Sequence, residues 1–392
     1  VARSRSIIIA GAGIGGLTAA LTLTRAGYRA VVLEQAARLE EAGAGIQLSP
    51  NATRVLAELG LADRLRPHVV APEAIRIMAG SGREIVRVPL GSSAEQRYGA
   101  PYWVIHRADL QAVLAAAIEQ SPDITLRFGT RVEDFAVHQH GITVQARTTQ
   151  GTRDEQGIAL VGADGLWSTL RACLGDRRAP RFAQRTAWRA VVPAARLMPE
   201  FREPVTSLWL GRDAHLVHYP VKGGREVNIV AIVRDDWHEP GWSASGKPEE
   251  LARRFERFAP EARALIAMPE RWQKWALFDR PPRRMRPRGP VTLLGDAAHP
   301  MLPFLAQGGA MAIEDAAVLA QCLGRDEDTE RTLRAYEHAR HRRVARAQRE
   351  ARRNSWRYHL TGPLGFARDT VLAALGGDRM LRRYDWLYGW KV

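Results

Sequence analysis

Gly11, Gly13 and Gly16 follow the apolar residues 7–10 in the order G-x-G-x-x-G, the types and spacing that hold a dinucleotide pyrophosphate. Gly11 permits the tight turn, Gly13 lets the backbone approach the phosphates, and Gly16 lets the next helix pack close to the strand. A helix over 14–26, stopped by Gly27, directs its first amides and the positive end of its dipole at the same point. Residues 28–33 read as the second strand, and Glu34, 23 residues after Gly11, is placed to accept from a ribose hydroxyl. The turn alone is weak evidence. The full order of strand, turn, helix, strand and acid is specific for a dinucleotide, without choosing which one.

Two further aspartates stand where ligands of α/β sheets bind, at the carboxyl ends of apolar runs. Asp164 lies in the segment 162–171 after the run 158–161, and Asp296 in Gly295-Asp296-Ala297-Ala298-His299-Pro300. Asp296 can accept from a ribitol hydroxyl, and the amides of Gly308 and Gly309 at a helix start can stabilise an anionic oxygen. Asp164 either contacts the cofactor or braces its own turn. His299 and Asp315 are expected to fix the loop and the helix start around Asp296.

Proton chemistry is expected from the strand 214–220, whose alternation puts His215, Val217 and Tyr219 on one face and His218 on the other. A neutral His215 with a pKa near the usual ~6.5 would suit a general base, the alternative being a packed strand histidine. Arg189 pairs either with a substrate carboxylate or with a surface acid.

Around these residues the chain alternates strands and helices. A short helix opens at Ser49-Pro50 and ends at Gly60, another runs from His106-Arg107 to about residue 120, and a strand follows over 124–128. Between 183 and 280 the texture changes to short strands at 205–210, 215–221 and 226–233, an antiparallel meander. Six of the eleven tryptophans lie in that stretch, Trp242 among them, and most read as packing residues. Residues 280–289, rich in Pro and Arg, read as a linker.

With 57 basic against 42 acidic residues the formal charge is +15, much of it local. Ten arginines from Arg331 to Arg357, including Arg340 and Arg343, crowd one helix as a solvated face beside a partly buried stripe. No nucleic-acid motif accompanies them, and an anionic substrate would benefit from the field. Cys173 and Cys322 are far apart, so neither a disulfide framework nor a metal site is expected. A strand beginning within six residues argues against a signal peptide, and no stretch has the length of a membrane helix. A cytoplasmic protein is expected.

The glycine turn, the Asp-Gly motif at Asp164 and the Gly-Asp motif at Asp296, in this order and spacing, resemble the group A flavin-dependent aromatic hydroxylases. This is the para-hydroxybenzoate hydroxylase class, and the chain is most similar to its salicylate and 3-hydroxybenzoate 6-hydroxylase branch. The resemblance covers nearly the whole chain. It implies an α/β fold: a discontinuous Rossmann-like FAD-binding domain (1–75, 98–182, 286–325), an inserted antiparallel-sheet substrate domain (76–97, 183–285) and a C-terminal helical region (326–392). For the cofactor it implies Gly11, Ala12, Gly13, Ile14, Gly15, Gly16, Glu34, Gln35, Gln47, Arg107, Val132, Asp164, Asp296, Pro303, Gly308, Gly309 and Ala310. For the substrate it implies Gln47, Arg189, His215, Tyr219 and Pro303, with His215 and Tyr219 catalytic. The loop 43–47 falls beside the flavin in such enzymes, and Gln47 stands where some of them carry a histidine, against a 6-hydroxynicotinate assignment. Arg107 has a bland alternative as a surface arginine. The implied reaction consumes NAD(P)H and O2 and hydroxylates a small aromatic acid through a flavin C4a-hydroperoxide. The single glycine turn fits a visiting nicotinamide, and a homodimer is left open. An FAD-dependent dehydrogenase on the same scaffold, a halogenase, and a basic nucleic-acid-binding protein are the rival readings.

Overall fold

The computed structural model describes residues 6–39, 44–239, 241, 244–284, 288–325 and 328–392, so Gly43, Trp242 and residues 285–287 of the expected linker lie outside it. The strand Ser6–Ala10 is central to a five-stranded sheet, with Ile7, Ile8 and Ile9 fully buried. A run apolar on both faces needs cover on both sides, which a parallel sheet provides. The order across the sheet is Val291–Leu293, Ala159–Gly162, Ser6–Ala10, Arg29–Leu33 and Ile124–Arg127, every pair parallel. Ile7 and Ile9 pack toward the helices Ile14–Arg25 and Gly308–Leu323. Ile8 and Ala10 pack toward Val132, Ile142 and Val144 of a three-stranded antiparallel sheet on the other face.

The meander belongs to an eight-stranded sheet containing Arg181–Pro193, Val205–Leu210, Ala214–Val221, Glu226–Arg234 and Trp272–Asp279. It is antiparallel except where Val205–Leu210 runs parallel to Ala74–Ala79, the strand that enters from the first part of the chain. The C-terminal region is part of the same core. Met380, Leu381, Leu387 and Tyr388 cluster with Ile77, Val86, Leu208 and Tyr219 of that sheet.

The helix Thr329–Arg357 corrects the expected arginine pattern. Arg331, Arg334, Arg346, Arg349 and Arg353 are exposed, but Arg340 is 3% exposed. Its Nε donates to Asp315 Oδ1 at 2.6 Å and its Nη1 to Glu314 Oε2 at 2.7 Å, while Arg343 donates twice to Glu314 at 2.7 Å. Helical periodicity shows which arginines share a face. It does not show that two buried carboxylates wait on the helix opposite.

His218 points away from His215, as alternation required, and its ring meets Phe201 edge-on at 5.4 Å. Neither ring nitrogen has a hydrogen-bond partner among the described residues, and burial, then Arg76, pushes its pKa down to about 3. The unfolded chain therefore binds a proton that the folded chain refuses between those values. Stability is expected to fall by up to ~1.4 kcal/mol per pH unit as pH drops below about 6.5. His218→Leu should flatten that slope in urea titrations at about pH 7 and pH 5; parallel slopes in the two proteins would contradict it.

Candidate active site

A cavity of about 460 Å³ is lined at one end by Gly13, Ile14 and Gly15, then by Asp296 and residues 303–309, and at the other end by the eight-stranded sheet. At the first end the glycines divide by what a side chain would meet. One at Gly11, where φ is +105°, would reach Ala163 O at 2.5 Å; one at Gly15 would reach Leu294 Cδ2 at 2.6 Å; one at Gly16 would overlap the Gly11 carbonyl oxygen. One at Gly13 meets no atom of the described residues within 4 Å beyond its own neighbours in the chain. Packing against backbone therefore requires Gly11 and Gly16, Gly15 is crowded only by the end of the Leu294 side chain, and the space beside Gly13 is open to a ligand. The helix behind them begins at Ile14 with no side-chain cap, leaving its first amides available to phosphate.

Further along, the Asp296 carboxylate is exposed into the cavity and has no hydrogen-bond partner among the described residues. Crowding by protein raises its pKa, offset by His299 and Arg107. The helix Gly308–Leu323 also starts uncapped, with Gly308 and Gly309 lining the cavity. An anion-accepting turn, an open carboxylate for hydroxyl groups and a second free helix start, in that order along one cavity, fit the pyrophosphate, ribitol and ring of FAD.

The neighbouring acids separate into two uses. Asp164 Oδ1 accepts from Ser168 Oγ at 2.6 Å and Oδ2 from Leu170 N at 3.1 Å, so it braces its turn, and Ala163 and Gly165 line the cavity instead. Glu34 accepts from the amides of Ala12 at 2.7 Å and Ala36 at 2.9 Å, which leaves each carboxylate oxygen a second lone pair. Asp315 accepts from Gly295 N at 2.9 Å and from His299 Nε2 at 2.5 Å, which makes His299 and Asp315 the scaffold of the Asp296 loop. Burial opposes charge on both. Their mutual attraction nevertheless raises the His299 pKa and lowers that of Asp315.

At the sheet end, Arg189 corrects one alternative: it is 5% exposed and cannot make a surface pair. Its Cζ lies 4.2 Å from the Trp275 ring centroid. Burial, then Arg107, pushes its pKa down to about 10, so it remains a cation at neutral pH. His215, Val217 and Tyr219 all line the cavity, as the strand period required. The His215 pKa near the ordinary value is overturned, because burial, His359 and Arg185 lower it well below that value. The ring is held neutral, and it is a weaker base than a solvated histidine. Burial raises the Tyr219 pKa, which keeps its hydroxyl protonated.

Gln47 and Arg107 also line the cavity; Tyr102 donates to Gln47 Oε1 at 2.6 Å, and the Arg107 amide donates to Ala44 O at 2.8 Å. Ala310 and Val132 are buried core residues outside the cavity wall, so a cofactor contact would have to come from their backbone. Gln35 is exposed, and with Gly11, Ala12, Gly16 and Glu34 it stands beyond the cavity. Several cavity residues escaped sequence reasoning, among them Trp275, Tyr358, Tyr384 and Tyr388. Only Trp275 carried a signal, as one of the tryptophans gathered in the meander. The tyrosines reach the cavity by folding back of the C-terminus, which no local pattern announces.

A parallel nucleotide-binding sheet and a cation-bearing chamber sharing one cavity define a protein built to hold a dinucleotide beside a second, smaller ligand. The family described as FAD binding domain matches residues 4–351, and the chain belongs to it, as an FAD-dependent monooxygenase of the aromatic hydroxylase class. It is 39% identical over 386 residues to 3-hydroxybenzoate 6-hydroxylase 1 of Aquipseudomonas alcaligenes, covering 98% of this chain and 97% of that protein. It is 40% identical over 391 residues to 3-amino-4-hydroxybenzoate 2-monooxygenase PtnB3 of Streptomyces platensis, covering 98% and 96%. Among solved structures, Klebsiella pneumoniae HpxO complexed with FAD and uric acid matches with a TM-score of 0.85 at 27% identity, over 96% of this chain and 95% of that one. No helix among the described residues is long and apolar enough to cross a membrane.

Proposed function

We propose that this enzyme hydroxylates a small aromatic acid of the hydroxybenzoate or salicylate kind, in the cytoplasm, with O2 as oxidant and NADH or NADPH as reductant. The observation that carries the proposal is a buried guanidinium and a buried neutral imidazole in one largely apolar chamber. The first matches a carboxylate and the second a phenol. Both groups occur in the substrates for which the Aquipseudomonas and Streptomyces relatives are named.

FAD, when bound, supplies hydride acceptance and the activation of O2. The chain supplies the rest. Arg189, its guanidinium carbon over the Trp275 ring, pairs with the substrate carboxylate by charge-assisted hydrogen bonds. His215 takes the phenolic proton, which makes the ring electron-rich at positions ortho and para to the oxygen. Tyr219 keeps its own proton and orients the substrate as a donor. Leu208, Val217 and Val230 exclude water, which limits wasteful release of peroxide. The positive surplus favours capture of an anionic substrate.

Arg189→Met tests the carboxylate contact. Loss of a charge-assisted bond is expected to lower kcat/KM for 3-hydroxybenzoate by about 10- to 100-fold, with flavin content unchanged and little effect on a phenol lacking the carboxylate. Equal losses on both compounds would remove Arg189 from carboxylate recognition.

A further inference from the structure

We propose that His359 is the positioning and proton-relay partner of His215: it fixes the tautomer that leaves His215 Nε2 open to substrate, and it carries the phenolic proton from the chamber toward solvent. The inference rests on the aromatic-acid function proposed above. It begins from two contacts that the oxidative chemistry does not need. His359 Nδ1 lies 2.6 Å from the Ser355 carbonyl oxygen, and His359 Nε2 lies 3.0 Å from His215 Nδ1.

A carbonyl only accepts, so His359 Nδ1 bears a hydrogen. A neutral imidazole has only one, which makes His359 Nε2 an acceptor and His215 Nδ1 the donor to it. His215 Nε2 then carries the lone pair. The protein contact of the ring is made through Nδ1, and the ring lines the cavity. The His215 ring is held in place by Phe304 at 5.2 Å and Tyr358 at 5.4 Å, so the lone pair has a fixed direction.

The surroundings suit a pair that is neutral at rest. Arg185 acts on both rings, Asp213 and Arg368 act on His359, and burial followed by Arg185 brings His359 down to about 4. The His215 ring is buried, whereas His359 is only partly so. In the transfer, the substrate O–H breaks and its proton joins His215 Nε2, while the Nδ1 proton of His215 passes to His359 Nε2. The resulting His359 cation gives its Nδ1 proton to water in place of the Ser355 carbonyl and keeps the new one on Nε2, which then donates to His215 Nδ1. Return of a proton by the same route at the end of turnover resets both rings.

The test mixes FAD-loaded enzyme with 3-hydroxybenzoate in weak buffer containing phenol red, following the flavin spectrum for binding and the dye for proton release. Wild type is expected to show both together. His359→Leu, and His359→Gln as a polar replacement that retains an acceptor, should bind within about twofold of wild type but release the proton about tenfold or more slowly, and added imidazole should restore part of the rate. Wild-type release rates in either variant overturn the relay, as does slow release indifferent to imidazole. Wild type that binds without releasing a proton also overturns it, leaving the aromatic-acid reading intact. The mixing is repeated with salicylate; if wild type shows neither signal with either acid, that reading falls and the relay with it.

Discussion

Gly13→Val is expected to give a folded but colourless protein, with FAD affinity reduced by at least about a hundredfold, or ~2.7 kcal/mol. The expectation follows from where the added atoms would go. Beyond its two neighbours in the chain, no atom of the described residues lies within 4 Å of the point where a Cβ on Gly13 would stand, so the branch point of the new side chain meets no clash in the protein itself. The same space faces the uncapped start of the helix Ile14–Arg25, where a pyrophosphate must approach the amides. Gly16→Ala serves as the contrast. Its methyl group would overlap the Gly11 carbonyl oxygen, so it should lower stability even without cofactor. Flavin absorbance after gel filtration, together with the thermal melt of the apoprotein, separates the two effects. A yellow Gly13→Val protein would show that the turn does not hold the pyrophosphate.

The second large effect concerns stability. Arg340→Met should cost about 3–5 kcal/mol, because removing one member of a buried ion network leaves the others desolvated and uncompensated. Glu314 and Asp315 are both fully buried. Arg343 still reaches Glu314 and His299 still reaches Asp315, but neither replaces the donors that Arg340 directs at both. The damage should spread to the cofactor site. Asp315 accepts from the Gly295 amide and so fixes the loop that presents Asp296, which predicts weaker FAD binding in addition to lower stability. Denaturant titration of the apoprotein measures the first effect and flavin titration the second. A stability change below about 1 kcal/mol would mean that the network is solvated in solution.

These residues also show what the sequence could and could not reveal. The strand, turn and helix around Gly11 to Gly16 were legible because their determinants are local: β-branched residues, glycine spacing and a helix stop within one short stretch. The common face of His215, Val217 and Tyr219 was legible for the same reason, since strand alternation needs no distant partner. Arg340 was not. Its partners lie 25 and 26 residues away on another helix, and the charge pattern of its own helix is the same whether it faces water or a buried acid. Arg189 was ambiguous until the fold placed it against Trp275, and the His215 pKa depended on burial and on His359, 144 residues distant. Chemical type was readable from sequence. Environment, which sets charge state and strength, came from long-range packing.

The most direct measurement is a screen of aromatic acids, 3-hydroxybenzoate and salicylate among them, for stimulation of NADH and NADPH oxidation under isotopically heavy O2, with products identified by mass. The expected result is that at least one hydroxylated aromatic acid accelerates nicotinamide oxidation and yields a product carrying one heavy oxygen atom. Nicotinamide oxidation indifferent to every aromatic acid, or a product whose new oxygen comes from water, would contradict the assignment.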